Sequence, residues 1–160
     1  MIKEEAKRKI FQVKEKAEIL IPKRLEADLP PIDHLSKVPA WQKYEIEIWN
    51  LGENIRQLFI EHKSLRKDRE LLDKIAEISL NRNAKSGRQS FILLLGNING
   101  KLYADSLISQ LEDQSVAGHI IDSIFKMKVS KYNRVIEPYC NDKTTWIRNR
   151  AKQYMKKYGC

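Results

Sequence analysis

The sequence predicts an all-α protein, an α-solenoid of antiparallel helix pairs with a helical cap at its N-terminal end. Three observations predict it. Apolar residues recur at steps of three and four along most of the 160 residues, which is the period of one helix face. With 6 Gly and 5 Pro, the chain has too little turn punctuation for a sandwich or barrel. From residue 86 onward it repeats with a period near 30 residues, two helical segments to a period, which is the mark of a solenoid. An apolar share of 42% suffices for a sizeable core, and a charged share of 32% suits long, solvated helices.

The chain is read as one domain in three parts: 1–38, 39–85 and 86–159. In the first part, Ile2, Ala6, Ile10, Val13, Ala17 and Leu20 form one apolar stripe with charges opposite. That is an amphipathic helix which Pro22 interrupts, and it serves as the cap. Residues 28–39, DLPPIDHLSKVP, hold three prolines and read as a loop. The second part holds degenerate helical repeats. Its first helix is expected to begin at Pro39, whose missing N–H costs nothing in a first turn. Trp41, Tyr44, Ile48, Leu51, Ile55 and Leu58 continue it. The stretch YEIEIW also alternates like a strand, but over six residues against eighteen for the helical period. A further helix spans Leu65 to Leu80 on Leu71, Leu72, Ile75, Ala76 and Ile78.

In the third part the columns are explicit. Phe91, Ile121 and Ala151 align at steps of 30, as do Leu94, Ile124 and Tyr154, and Leu95, Phe125 and Met155. The partner segments align at a step of 29: Leu102 with Lys131, Tyr103 with Tyr132, Leu107 with Ile136, Leu111 with Cys140, Asp113 with Asp142. This settles FILLLGNINGK, residues 91–101, which superficially offers a phosphate-binding loop. A P-loop needs four residues between its glycines and Ser or Thr after the lysine. Here there are three, and Leu102 follows Lys101. FILLL is therefore read as helix, and Gly100 as a helix stop and turn residue.

The last unit resembles the short HEAT repeats of the phycobilisome-lyase type. Those carry an Asp in the turn between helices, an aliphatic–Arg pair five and six residues on, Ala three after the Arg, and Leu-Gly near the helix end. Asp142, Ile147, Arg148 and Ala151 match in register, and Arg88 with Leu95-Gly96 matches in the earlier unit. The middle unit departs, with Gly118 at the Arg position, so an Asp–Arg ladder is expected to break there. The resemblance covers residues 86–159, is weaker over 40–85 and does not reach 1–38. It implies a fold, with Asp113, Asp142, Arg88 and Arg148 in structural roles, and it implies no particular activity.

Cys140 and Cys160 form no CxxC pair, so no disulfide framework is expected, and the cytoplasm is the natural location. The opening MIKEEAKRKI has no apolar core of a signal peptide, and no apolar run is long enough for a membrane span. His34, His62 and His119 lack neighbours at metal-ligand spacing, no GxSxG occurs, and carboxylate pairs such as Glu45/Glu47 sit in charge-rich helices. No catalytic residue, metal or cofactor is expected, and the chain reads as a non-enzymatic module.

The formal charge of +9 is unevenly spread: over residues 126–160, Lys and Arg outnumber Asp and Glu by ten to two. A solvated face is the ordinary reading of such a run. The sharper one is a docking surface made of Lys126, Lys131, Tyr132, Arg134, Lys143, Trp146, Arg148, Arg150 and Lys152. Trp, Tyr and Arg are the residue types enriched in protein interfaces. The expected partner is another protein with an acidic surface, the chain acting as an adaptor, a regulatory subunit or an immunity protein against a toxin. Basic groups with aromatics also suit nucleic acid, the alternative. A HEAT-like DNA glycosylase shares helical repeats and a basic groove, but its catalytic acid matches no position here.

Overall fold

The computed structural model describes residues 2–24, 41–97 and 100–159, and every regular element among them is helical. Helix α1, Lys3–Leu20, buries Ala6, Ile10, Val13 and Ala17 of the stripe read from the sequence, while Leu20 is partly buried and Ile2, just before the helix, is exposed. Helix α2, Lys43–Glu61, starts where the Glu45 carboxylate accepts from the Gln42 N–H at 2.6 Å. Glu45 is buried because its other oxygen accepts from the Ser86 N–H at 3.1 Å, so one acid satisfies two backbone donors. The expected loop 28–39, Pro39 and His34 lie outside the described residues.

The single helix expected over Leu65–Leu80 is divided. A 3-10 turn, Lys63–Lys67, precedes α3, Arg69–Ser79. The break falls at Asp68, whose carboxylate accepts from the Leu71 N–H at 3.2 Å and so caps α3. A 3-10 stretch, Arg82–Arg88, leads into α4, Gln89–Asn97. Then come a 3-10 turn at Lys101–Tyr103, α5 (Ala104–Ile108), α6 (Ala117–Met127), α7 (Asn133–Ile136), a 3-10 turn at Glu137–Asn141, and α8 (Thr145–Tyr158). Gly100 is a turn residue without being left-handed. Its φ is −90°, and a Cβ there would lie 2.4 Å from the Leu95 carbonyl oxygen.

Helices α2, α4, α6 and α8 pack side by side in series. Contacts advance together along each neighbouring pair, so the members run in the same direction. On α2 and its neighbour, Ile48 lies by Gly87, and Gly52 by Ser90 and Phe91. Between α4 and α6, Gln89 donates to the Ser115 carbonyl at 2.7 Å and the Ser123 hydroxyl to the Ile92 carbonyl at 2.8 Å. Gly96 permits this approach, since a Cβ would stand 2.8 Å from the Ser123 Cα. Helices α1 and α3 are likewise parallel: Lys7 pairs with Asp68 at 2.9 Å, and one helix stretch further on Lys14 pairs with Glu77.

The core runs through the repeat columns. Phe91, Ile121 and Ala151 are fully buried, as are Leu94, Ile124 and Tyr154. The third column opens outward: Leu95 is buried, Phe125 and Met155 only partly. In the partner segments Leu107 and Ile136 are fully buried. Each such side chain contributes on the order of 2 kcal/mol by leaving water.

The two aspartates at the 29-residue step make the same turn. Asp113 accepts from the Ser115 N–H at 3.0 Å, and Asp142 from the Thr144 N–H at 2.8 Å. Each is an Asx turn delivering the chain into the next long helix. Arg88 reaches forward to the first of them. Its Nη2 donates to Asp113 Oδ2 at 2.7 Å, and its Nη1 to the Ser79 carbonyl at 3.0 Å and to the Gln110 side chain. Burial lowers the guanidinium pKa, with Asp113 opposing, but an arginine starts so high that it stays charged. Burial pushes the Asp113 carboxyl up, and hydrogen bonds from Ser115 and Arg88 outweigh that and hold it below its ordinary value. Arg148 does not repeat this pairing. Its Nη1 donates to the Asp142 backbone carbonyl at 2.8 Å, inside its own turn.

Candidate interaction face on α6 and α8

The sequence-derived cluster divides into three places. Lys131, Tyr132 and Arg134 lie just before and within α7. Lys131 pairs with Asp105 at 2.9 Å, and the Tyr132 hydroxyl donates to the same carboxylate. The Tyr132 N–H donates to the Tyr154 hydroxyl at 3.2 Å, which donates to the Val129 carbonyl at 2.6 Å. Tyr132 is thus a buried joint between α5, α7 and α8, not a surface aromatic. The Tyr132 hydrogen bond, with Lys131 behind it, holds the Asp105 carboxyl below its ordinary range, and burial with Asp105 pushes the Tyr132 phenol up. Arg134 is exposed.

Lys143, Arg148 and Lys152 form the second place, the turn into α8 and one flank of that helix. Lys143 and Lys152 are exposed, while Arg148 is occupied by its own turn, with Thr145 Oγ1 at 3.3 Å as well.

The third place is the seam between α6 and α8, where Lys126, Trp146 and Arg150 meet. Gly118 creates it. At the position where the preceding unit has Arg88, a Cβ would stand 2.6 Å from both the Trp146 ring and the Ile147 side chain. The glycine therefore admits the first turn of α8 against the first turn of α6. Trp146 stays 46% exposed, with its ring edge-on to His119 at 5.2 Å and 72°. One turn on, Asp122 is almost buried and is held from two sides, by Arg150 at 2.7 Å and Lys126 at 3.1 Å. Beyond it lies the Phe125 ring, with the Arg150 guanidinium 4.7 Å and the Lys157 ammonium 5.6 Å from its centroid. Gln153 accepts from Arg150 Nη1 at 2.9 Å. The face thus offers, in order, an indole, a guanidinium fixed by a carboxylate, and a lysine over an aromatic floor.

Burial of the ring drops the His119 pKa to about 4, against a smaller upward pull from Asp122. The imidazole is neutral at pH 7 and supports the indole without adding charge. His119, Asp122, Phe125 and Lys157 were not among the expected site residues. Two of them left a trace in the sequence. Asp122 precedes Lys126 by four, an ion-pair spacing on a helix. Phe125 stands in the outermost of the three columns. His119 becomes part of the face only because Gly118 brings α8 close.

Among the described residues, no helix is long and apolar enough to cross a membrane, and no three His, Cys, Asp or Glu side chains cluster as metal ligands. Comparisons with protein-family models, curated proteins and solved structures give no match for this chain.

Proposed function

We propose that the protein is a non-enzymatic binding module, a HEAT-like α-solenoid that docks an acidic surface of another protein on its α6–α8 face. The row of parallel helices, the buried 30-residue columns and the two matching aspartate turns support the solenoid reading. The observation that carries the docking reading is the half-exposed Trp146 at the head of a row of cations, Arg150 and Lys157, laid over Phe125. An aromatic anchor beside preorganised cations is the composition of an interface centre. An adaptor, a regulatory subunit and a cytoplasmic immunity protein against an acidic toxin all fit this chemistry.

Nucleic acid is the second reading, and it draws on the same cations. Binding a single strand by stacking requires successive exposed aromatic faces. This face has one, because Tyr132 is buried. The two readings separate by which polyanion binds and by its dependence on Trp146. Poly-glutamate and labelled duplex and single-stranded DNA are titrated at low and moderate salt against the protein and its Trp146→Ala variant. The expected result is that both polyanions lose affinity as salt rises, with poly-glutamate the tighter binder at low salt and DNA gaining nothing from Trp146. DNA binding that survives moderate salt and falls in Trp146→Ala overturns the protein-docking reading.

A further inference from the structure

The α6–α8 seam also has a register. Trp146, Arg150 and Lys157 follow one another on α8 at steps of four and seven residues. At about 100° per residue they lie within about 40° of a single line along the helix. Along that line their Cα positions advance by about 6 Å from Trp146 to Arg150 and by about 10 Å from Arg150 to Lys157. The guanidinium is fixed in place. Asp122 holds its Nε and Gln153 its Nη1, while Nη2 makes no hydrogen bond among the described residues. Asp122 is itself almost buried and shared with Lys126, so it anchors the two cations without masking their outer side. Lys157 has no carboxylate partner among the described residues and rests over Phe125 and Tyr158.

We infer that this seam recognises an amphipathic acidic helix of the partner protein, with one apolar residue for Trp146 and two carboxylates for Arg150 and Lys157. The inference rests on the docking function proposed above and names its ligand. A helix suits the seam because side chains at j, j+4 and j+11 of a partner helix lie in the same narrow arc and repeat the rise of Trp146, Arg150 and Lys157. Its charge is complementary to the face. Its spacing follows from its own rise of 1.5 Å per residue. An apolar residue at position j, with Glu at j+4 and j+11, matches the seam when the helices are parallel, and the reversed order matches it when they are antiparallel.

The test uses the full chain and synthetic helix-stabilised peptides. Two peptides carry one Leu and two Glu at the matched spacing, one in each order. Two scrambled peptides keep the composition but place the Glu residues on opposite faces. Binding is read by fluorescence anisotropy at near-physiological salt. One matched peptide is expected to bind at least about tenfold tighter than its scramble, a preference worth about 1.4 kcal/mol. Lys157→Glu and Trp146→Ala are expected to abolish that preference with the helical circular dichroism unchanged, and Lys152→Glu, on the other flank, to leave it intact. Equal binding of matched and scrambled peptides overturns the register while leaving the acidic-partner reading standing. So does binding of poly-glutamate with no binding of either matched peptide. A loss in Lys152→Glu equal to that in Lys157→Glu also overturns it, by showing that only net charge is read.

Discussion

Two arginine–aspartate pairs join neighbouring units of this chain, and they work in different surroundings. Arg88 is fully buried where it meets Asp113, whose side chain stays 21% exposed. Arg150 and Asp122 meet at the surface seam, with the arginine side chain 27% exposed. The first guanidinium is taken up by Asp113, Gln110 and the Ser79 carbonyl, all within the protein. The second keeps an outward edge beside Trp146 and Lys157. The same ion pair is therefore a structural joint in one place and a presented cation in the other. What separates the two is the next residue in the column. Where Arg88 fills the junction, nothing else enters. Where Gly118 stands instead, Trp146 and Ile147 move in, and the cations of α8 are left facing out.

The comparison breaks most sharply at the buried pair. Arg88→Ala strands Asp113 and Gln110 without their cation, and loss of one partner of a buried pair is expected to lower stability by about 3–5 kcal/mol. Urea unfolding measures it, and a loss under about 1 kcal/mol would place Arg88 among ordinary surface pairs. Next is Gly118→Ala, which puts a methyl where Trp146 and Ile147 already stand. Overpacking of this kind costs about 1–3 kcal/mol. It is also expected to shift the tryptophan emission as the indole is displaced, and unchanged emission would mean that α8 does not depend on the glycine.

Titration of His119 sharpens the picture of the seam. Its folded pKa, about 4, lies below the ordinary 6.5, so the unfolded chain takes up the proton first. Stability from this group is complete above pH 6.5 and is lost as the pH falls toward 4. The partly exposed ring moderates the loss to about 2 kcal/mol. Urea midpoints of the protein and His119→Gln across that range give the difference, and parallel curves would show that the imidazole is not desolvated by Trp146. The smallest effect belongs to the surface pair. Arg150→Ala is expected to cost about 1 kcal/mol and to cost less as salt rises, because Lys126 still pairs with Asp122 and the partly exposed guanidinium is screened.

The long helices were legible because burial writes a period into them. Phe91, Ile121 and Ala151 are fully buried at the expected step, and α1 buries the stripe that Ala6 and Ile10 begin. The aspartate turns were legible because Asp113 and Asp142 each precede a Ser or Thr by two residues, which is local chemistry. The break at Asp68 was legible in principle as a cap, but the apolar period runs on across it and hides it. Contacts far apart in sequence leave no such mark. The Glu45 bond to Ser86 spans 41 residues and the Lys14 bond to Glu77 spans 63. The candidate face was half legible. Charge and aromatic content pointed to the C-terminal helices, and Trp146, Arg150 and Lys126 do converge there. Tyr132 reads like a surface aromatic beside Lys131, yet it is buried, with its hydroxyl on Asp105 and its N–H on Tyr154. Whether an aromatic next to a lysine points in or out depends on its neighbours, and a single sequence does not contain them.

The row formed by α2, α4, α6 and α8 can finally be regarded as a beam with unequal joints. An ion pair whose arginine is fully buried and held at three points resists sliding as well as separation, and dissolved ions reach it only at the Asp113 side. The α4–α6 joint, locked by Arg88 and Asp113, therefore has a stiffness set mainly by the sequence. The α6–α8 joint combines apolar contact, which lets surfaces slip, with an ion pair whose arginine is partly exposed and so within reach of mobile ions. Its stiffness therefore depends in part on the surrounding electrolyte, and brine is expected to loosen the α8 joint more than the α4–α6 joint.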